Sequence, residues 1–322
     1  MSQPNKAPYD FIKSITQPFQ SRDGFVWRAA IMMAALFSVT FIIFFPMLYT
    51  EYGQLLDVNQ QNMQDILAGR EPESAEEIVY LFSSVWRPYL VMSLLLMLIP
   101  FAGETALHRK YLLGTEEQIV PLRFMQSELR TTLAAIGVWL TVLFAYILLS
   151  FALGVLGAIS AMLSPVLSKL AIFVGVVFLL GFSLRLSIRL APAAALSVNQ
   201  NRLYVLKARE VSNGRIGPML ASYAFVFFFG YILLVSVLSV LMTIVFGESQ
   251  ILSTMNGLGD QLPSETLKAM AEQLQSPLKK FMGVAALVAY FTVMSLWFLT
   301  LSGIGTYAVK LWESENGATS NQ

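Results

Sequence analysis

Apolar residues occur along this chain in long uninterrupted runs rather than at every third or fourth position. Five stretches contain no Asp, Glu, Lys or Arg, namely 29–50, 88–103, 131–168, 216–247 and 281–309. A helix rises 1.5 Å per residue, so about 20 apolar residues cross a hydrocarbon core of roughly 30 Å. The pattern therefore predicts helices that span a membrane.

The stretch 131–168 is too long for one span and indicates two. Its middle holds small residues and a proline, which favour a turn near 158–166. The apolar run resumes after Lys169 and continues to Leu184, so we expect the fourth helix to extend past Lys169 and Arg185, with both side chains reaching the interfaces. Six spans follow, at about 27–49, 86–106, 131–156, 167–190, 216–246 and 281–309.

The distribution of Lys and Arg predicts the orientation. With the N terminus inside, fifteen of the 21 basic residues fall on the cytoplasmic side. The other side keeps six of them: Arg70, Arg87, Lys169, Lys268, Lys279 and Lys280. An even number of spans then places the C terminus in the cytoplasm too.

Two of the predicted external segments have the signals of short amphipathic helices, and the alternative is that both are simple connectors that fold back. In 51–87, Ser74 and Glu77 form a capping-box pattern ahead of Ile78. In 247–280, Pro263 begins a segment whose apolar residues follow at helical spacing up to Leu274. The predicted fold is an all-α, polytopic membrane protein with six transmembrane helices, both ends inside, and short interfacial amphipathic helices. Its parts are a cytoplasmic segment 1–26, a membrane domain 27–312 and a cytoplasmic tail 313–322.

An arginine stands at the cytoplasmic entry to each odd-numbered span. These are Arg28, Arg130 and Arg215, and each follows a mixed polar and apolar segment. One interpretation is a threefold repeat of an interfacial helix followed by a membrane hairpin. The alternative is that basic residues are expected at cytoplasmic helix ends without any common ancestry.

Composition limits the chemistry that this chain supports. Charged residues make up 13%, about half the share usual in a soluble domain, and mean hydropathy is +0.63. The net charge of +1 gives no reason to expect a nucleic-acid partner. One histidine and no cysteine make a transition-metal centre an unfavourable hypothesis. No phosphate-binding loop pattern occurs, so we expect no cofactor and no enzyme activity.

One group of polar residues near the cytoplasmic end of the spans is a candidate site. Glu104 and His108 are four residues apart in the second span, and Arg185 and Arg189 are four apart in the fourth. A charge at the bilayer centre costs roughly 2.5–3.5 kcal/mol, which favours pairing, and Glu104 with Arg185 is the pair to test first. The alternative is that all four lie at the headgroup level, where the cost largely disappears.

The segment from the fourth span to the fifth resembles a known family. Residues 184–193 read LRLSIRLAPA, and residues 208–215 read AREVSNGR. Together with the overall hydropathy, this is similar to bacterial six-helix membrane proteins related to the membrane domain of glycerophosphoryl diester phosphodiesterases. The resemblance implies a bacterial inner-membrane protein. The soluble catalytic domain of those enzymes has no counterpart here, so no activity is implied.

The function expected first is therefore a non-enzymatic structural or accessory component of the bacterial envelope. Its partners would be membrane lipids and other membrane proteins. The second hypothesis is a transporter or permease for a small or lipid-like molecule, which the group around Glu104 motivates. A polar cavity with charged groups directed into it favours the second hypothesis, whereas a filled interior with an exposed apolar face favours the first.

Overall fold

The computed structural model describes residues 8–21, 23–68, 75–114, 122, 126–246 and 276–320. Within these residues there are helices and connecting turns but no β-strand. The helices are α1 Phe11–Thr16, a 3-10 turn Gln17–Phe19, α2 Phe25–Leu67, α3 Ala75–Leu112, α4 Gln126–Leu163, α5 Pro165–Leu190, α6 Ala193–Asn199, α7 Ala208–Val211, α8 Ile216–Phe246 and α9 Pro277–Ser320.

Six of these helices are long and apolar enough to cross a membrane, as the sequence predicts. The qualifying segments are Phe25–Phe44, Trp86–Leu112, Gln126–Met162, Pro165–Asn199, Ile216–Val245 and Pro277–Asn316. The protein is therefore an all-α membrane protein with six membrane-length helices.

Several helices are longer than a bilayer requires. The 43 residues of α2 extend about 65 Å and the 38 residues of α3 about 57 Å. A separate amphipathic helix near Ile78 was expected, and this was wrong, because α3 runs without a break from Ala75 to Leu112. Pro88 lies inside it, and membrane helices tolerate proline where other groups satisfy the freed carbonyl. The amphipathic helix expected at 263–274 lies outside the described residues.

The turn predicted near 158–166 is confirmed and consists of one residue, Ser164. Its extended backbone ends α4, and its hydroxyl accepts a hydrogen bond from the Val166 amide at 3.3 Å. Pro165 occupies the first position of α5, where its missing N–H costs nothing. A capping serine followed by a proline thus explains why the chain reverses here.

The chain divides into two compact units. Unit 1 comprises residues 1–26, 101–228 and 298–322, so it contains α1, α4 to α7 and the adjoining parts of α3, α8 and α9. Its core is a cluster of seven buried apolar residues from α5 to α9: Ile188, Ala195, Leu196, Val211, Met219, Ala308 and Val309. The short helix α6 is buried at six consecutive positions, 193–198, so it is an interior element rather than an interfacial one.

Unit 2 comprises residues 27–100 and 229–297. Aromatic packing joins α2 to α9 within it, because the Phe37 and Phe291 rings stack with their centroids 5.3 Å apart. Helices α8 and α9 approach each other closely at Gly230. A Cβ atom placed on Gly230 would lie 2.1 Å from Cδ1 of Trp297, so the indole occupies the space that any other residue would need. Close approach at glycine is a common packing device of membrane helices.

We expect Gly230→Ala to lower the free energy of unfolding by about 1–3 kcal/mol, because the added methyl group must displace the Trp297 indole. Gly217→Ala is the matched control, since it lies in the same helix and its added Cβ would meet nothing within 4 Å. Thermal unfolding of the purified variants in one detergent measures both. Equal melting temperatures for the two variants would contradict the packing described for unit 2.

Candidate functional site

Charged side chains of unit 1 are joined in ion pairs that link different parts of the chain. Lys110 Nζ lies 2.6 Å from Asp23 Oδ2, and Arg109 pairs with Glu128. A third pair joins Arg215, at the start of α8, to Glu315 near the end of α9. We call these six residues the polar end of unit 1.

Helix polarity explains where two of these charges stand. Arg109 lies in the last turn of α3 and Glu128 in the first turn of α4, the positions that the helix dipole favours for a cation and an anion. The Asp23 carboxylate accepts a hydrogen bond from the Phe25 amide at 3.1 Å, which fixes the start of α2. The hydrogen bond from Lys110 lowers the pKa of Asp23 from its usual 3.8 to about 2, so its carboxylate stays ionised into the acidic range.

The three entry arginines lie in different environments. Arg215 is 4% exposed, pairs with Glu315 and donates to the Val211 carbonyl at 3.0 Å. Arg130 is half-buried and donates to Asn201 and to Gln126. Arg28 is half-buried, and its Nε has no hydrogen-bond partner among the described residues. Only Arg215 is therefore a buried, paired charge.

The predicted threefold repeat stays a prediction. The first and third entries share one feature, a glycine with a left-handed backbone directly after Asp or Asn. Gly24 has φ +67° and Gly214 has φ +78°, a conformation that glycine adopts without strain. These glycines lie at different distances from their arginines, four residues before Arg28 and one before Arg215, and the equivalent positions before Arg130 hold Gln126 and Leu129.

Glu104 and His108 are brought together in the interior of unit 1. The side chain of His108 is 1% exposed, and its Nε2 lies 3.3 Å from Glu104 Oε1. On the other side of the ring, Nδ1 lies 2.9 Å from the Thr306 hydroxyl of α9. The i,i+4 spacing accounts for the first contact. Thr306 could not be found from the sequence, because it lies 198 residues away and has no distinguishing motif.

The ion pair between Glu104 and Arg185 does not form among the described residues. Ser187 of α5 lines the same groove as Glu104, and Arg185 lies two residues before it, about 200° around the helix. Arg185 is accordingly exposed, and Arg189, also two residues from Ser187, is half-buried with its Nε unpartnered among the described residues. The four predicted residues thus separate into the Glu104–His108 pair and two arginines that take no part in it.

A shallow groove of about 270 Å³ runs beside Glu104. Its walls are apolar apart from Glu104 and Ser187, and they include Trp139 and Val142 of α4 with Leu190 at the end of α5. The Ser187 hydroxyl donates to the Ser183 carbonyl at 2.8 Å, so toward the groove it offers a lone pair. The groove therefore suits an apolar chain better than a polar solute.

Within the described residues, no three side chains among His, Asp and Glu are grouped so that they could hold a metal ion. Comparison with known proteins gives no match, since no family model, no curated protein and no solved structure is significantly similar to this chain. The resemblance to the membrane domains described above remains an expectation from the sequence.

We expect Arg215→Gln to cost about 3–5 kcal/mol of unfolding free energy, because it leaves the Glu315 carboxylate without its buried cation. Arg130→Gln should cost no more than about 1 kcal/mol, since that arginine is only half-buried and bonds to neutral side chains. Denaturant titration in detergent measures both losses. Equal losses of unfolding free energy for the two variants would contradict this, because the Arg215–Glu315 pair would then stabilise the protein no more than the hydrogen bonds of Arg130 do.

Proposed function

We propose that this protein is a non-enzymatic structural or accessory component of a bacterial envelope, and that it acts by presenting helix surface to neighbouring membrane proteins. The observation that carries the proposal is the exposed apolar surface of α4 and α5. In the most apolar window of α4 only 6% of the residues are buried, and in that of α5 only 11%.

The two helices form a hairpin and pack against each other. Gly175 is one contact point, because a Cβ placed there would lie 3.2 Å from Cδ2 of Leu153. Outward side chains such as Phe151 and Phe173 are 73% and 67% exposed. A surface of this kind must be covered by acyl chains or by apolar helices of a partner.

The polar groups of unit 1 support a structural role over a transport role. In the polar end, basic and acidic groups are joined to one another rather than directed into a channel. The Arg109–Glu128 and Arg215–Glu315 pairs are largely buried, and we infer that they hold helix ends in one arrangement.

A transporter or permease of a lipid-like molecule is the second candidate, and the groove beside Glu104 favours it. The groove combines apolar walls with one carboxylate and one hydroxyl. Ligand sites in membrane proteins have this mixture of many apolar contacts and few polar ones.

The membrane and the orientation belong to the same proposal. We infer a bacterial inner membrane with both chain ends in the cytoplasm. The support is the excess of basic residues on one side of the six spans together with the family resemblance. The polar end of unit 1 would then lie at the cytoplasmic face.

Site-specific photocrosslinking in the cell's own membranes tests the proposed role. A photoreactive phenylalanine analogue would replace Phe151 or Phe173 on the hairpin, with the 3% exposed Phe37 as a buried control. The proposal predicts a protein adduct of one defined mass at Phe151 or Phe173 and none at Phe37. Adducts with lipid alone at both hairpin positions would contradict the accessory role.

A further inference from the structure

The turn between α6 and α7 carries cationic side chains beside exposed apolar ones. We propose that this turn, residues 200–207, binds the headgroup of an anionic phospholipid, with Leu203 and Leu206 in contact with its acyl chains. The proposal concerns a lipid ligand of unit 1 and does not depend on the accessory role proposed above.

The backbone of the turn is held in one shape. The Ser197 hydroxyl accepts a hydrogen bond from the Tyr204 amide at 2.9 Å and donates to the Tyr204 carbonyl at 3.2 Å. The Arg202 amide donates to the Ser197 carbonyl, also at 3.2 Å. Asn201 has φ +53°, in the left-handed region that asparagine adopts more readily than most residues. A turn fixed in this way loses little conformational freedom when a ligand binds.

Three cations gather at this turn. Arg130 of α4 donates to the Asn201 side chain, and Lys207 donates to the Gln200 side chain at 3.4 Å. Arg202 is the next residue of the turn, and its side chain is exposed. Two cations are therefore held at adjacent residues of the chain, and the third follows directly.

These three cations have no acidic partner among the residues that the structure describes. In this they differ from Arg109, Lys110 and Arg215 of the polar end, each of which is paired with a carboxylate. Glu313 of α9 reaches the end of α6, but there it accepts a hydrogen bond from the Asn199 amide. Like charges held close together repel, and a phosphate group that contacts them removes the repulsion and takes up their remaining N–H donors.

The turn lies where α4 passes from its last charge into its charge-free run. Asn201 is held by Arg130, whereas Val205 lies against Gly137, since a Cβ placed on that glycine would be 2.8 Å from Cγ2 of Val205. Between these two positions α4 rises about 10 Å, and residues 131–168 contain no ionisable group. In a membrane crossed by α4, the turn would therefore lie at the boundary between headgroups and acyl chains.

The exposed leucines decide between a lipid and a soluble anion. Leu203 is 52% exposed and Leu206 is 63% exposed, and they stand next to Arg202 and Lys207 in the chain. A free phosphate ion would use the cations and leave both leucines uncovered. A phospholipid uses both kinds of group, and basic residues near a membrane surface attract anionic lipids in particular.

Native mass spectrometry of the full-length protein tests the proposal. The delipidated protein in detergent would be titrated with phosphatidylglycerol, which is anionic, or with phosphatidylcholine, which carries no net charge. We expect tighter binding of phosphatidylglycerol. Removal of the three cations should weaken that binding at least about tenfold and abolish the preference. The variant is Arg130→Gln/Arg202→Gln/Lys207→Gln.

The matched control removes three cations at other positions, and we expect it to keep both the affinity and the preference. It is Lys169→Gln/Lys279→Gln/Lys280→Gln. Equal affinities of the unmodified protein for the two lipids, or equal losses in the two triple variants, would overturn the proposal.

A single variant guards against misfolding of the triple one. The exposed Arg202 side chain has no hydrogen-bond partner among the described residues, so Arg202→Gln leaves the turn's own contacts in place. We expect this change to weaken phosphatidylglycerol binding about fivefold. An unchanged affinity in this variant would overturn the proposal as well.

Two further measurements separate the lipid from a soluble anion. We expect Leu203→Ser/Leu206→Ser to weaken phosphatidylglycerol binding at least about fivefold, because the acyl chains lose apolar contacts. We also expect inorganic phosphate in large excess to leave the lipid bound. Displacement by inorganic phosphate, or an unchanged affinity in the leucine variant, would overturn the assignment to a lipid in favour of a soluble anion.

Discussion

The absence of water around the spans is the constraint on which this structure depends. Where acyl chains are the solvent, an ionisable group must reach the membrane surface, pair with an opposite charge or hold its proton. Unit 1 shows pairing at its polar end, where Arg215 is bound to Glu315 and Arg109 to Glu128. The long charge-free runs of α4 and α8 satisfy the constraint by containing no ionisable group.

The same constraint explains which parts of the fold could be predicted. Six helices follow from the length of the charge-free runs, and the Ser164-Pro165 turn follows from local capping chemistry. The continuation of α2 to Leu67 could not be predicted, because polar residues outside the bilayer are compatible with a helix or a loop. The capping-box pattern at Ser74 indicated a helix near the start of α3, but not that this helix continues unbroken into the second span. The packing contacts between spans could not be predicted for another reason. A lipid-facing leucine and a buried leucine look alike in the sequence, so contacts such as Gly230 with Trp297 appear only in three dimensions.

The candidate site was predictable only where its residues share one helix. Glu104 and His108 meet because they are four residues apart, and that spacing is visible in the sequence. The expected partner, Arg185, lies two residues before Ser187, which is the residue of α5 that lines the groove beside Glu104. An apolar run without a polar stripe does not indicate which face of the helix turns toward the interior, so this difference could not be predicted. The contact between Thr306 and His108 depends on how α9 packs against α3. No motif in the sequence distinguishes Thr306 from the other threonines, so this contact could not be predicted.

Labelling of single cysteines tests the membrane account most directly, and the chain has no cysteine of its own to interfere. Cysteines would replace Ser127 at the start of α4, Phe151 in its middle and Ser314 near the end of α9, and intact cells and opened membranes would be treated with a charged maleimide. The account predicts that position 151 stays unlabelled in both preparations, and that positions 127 and 314 react only once the membranes are opened. Labelling of position 151 in either preparation, or reaction of position 127 or 314 in intact cells, would contradict it.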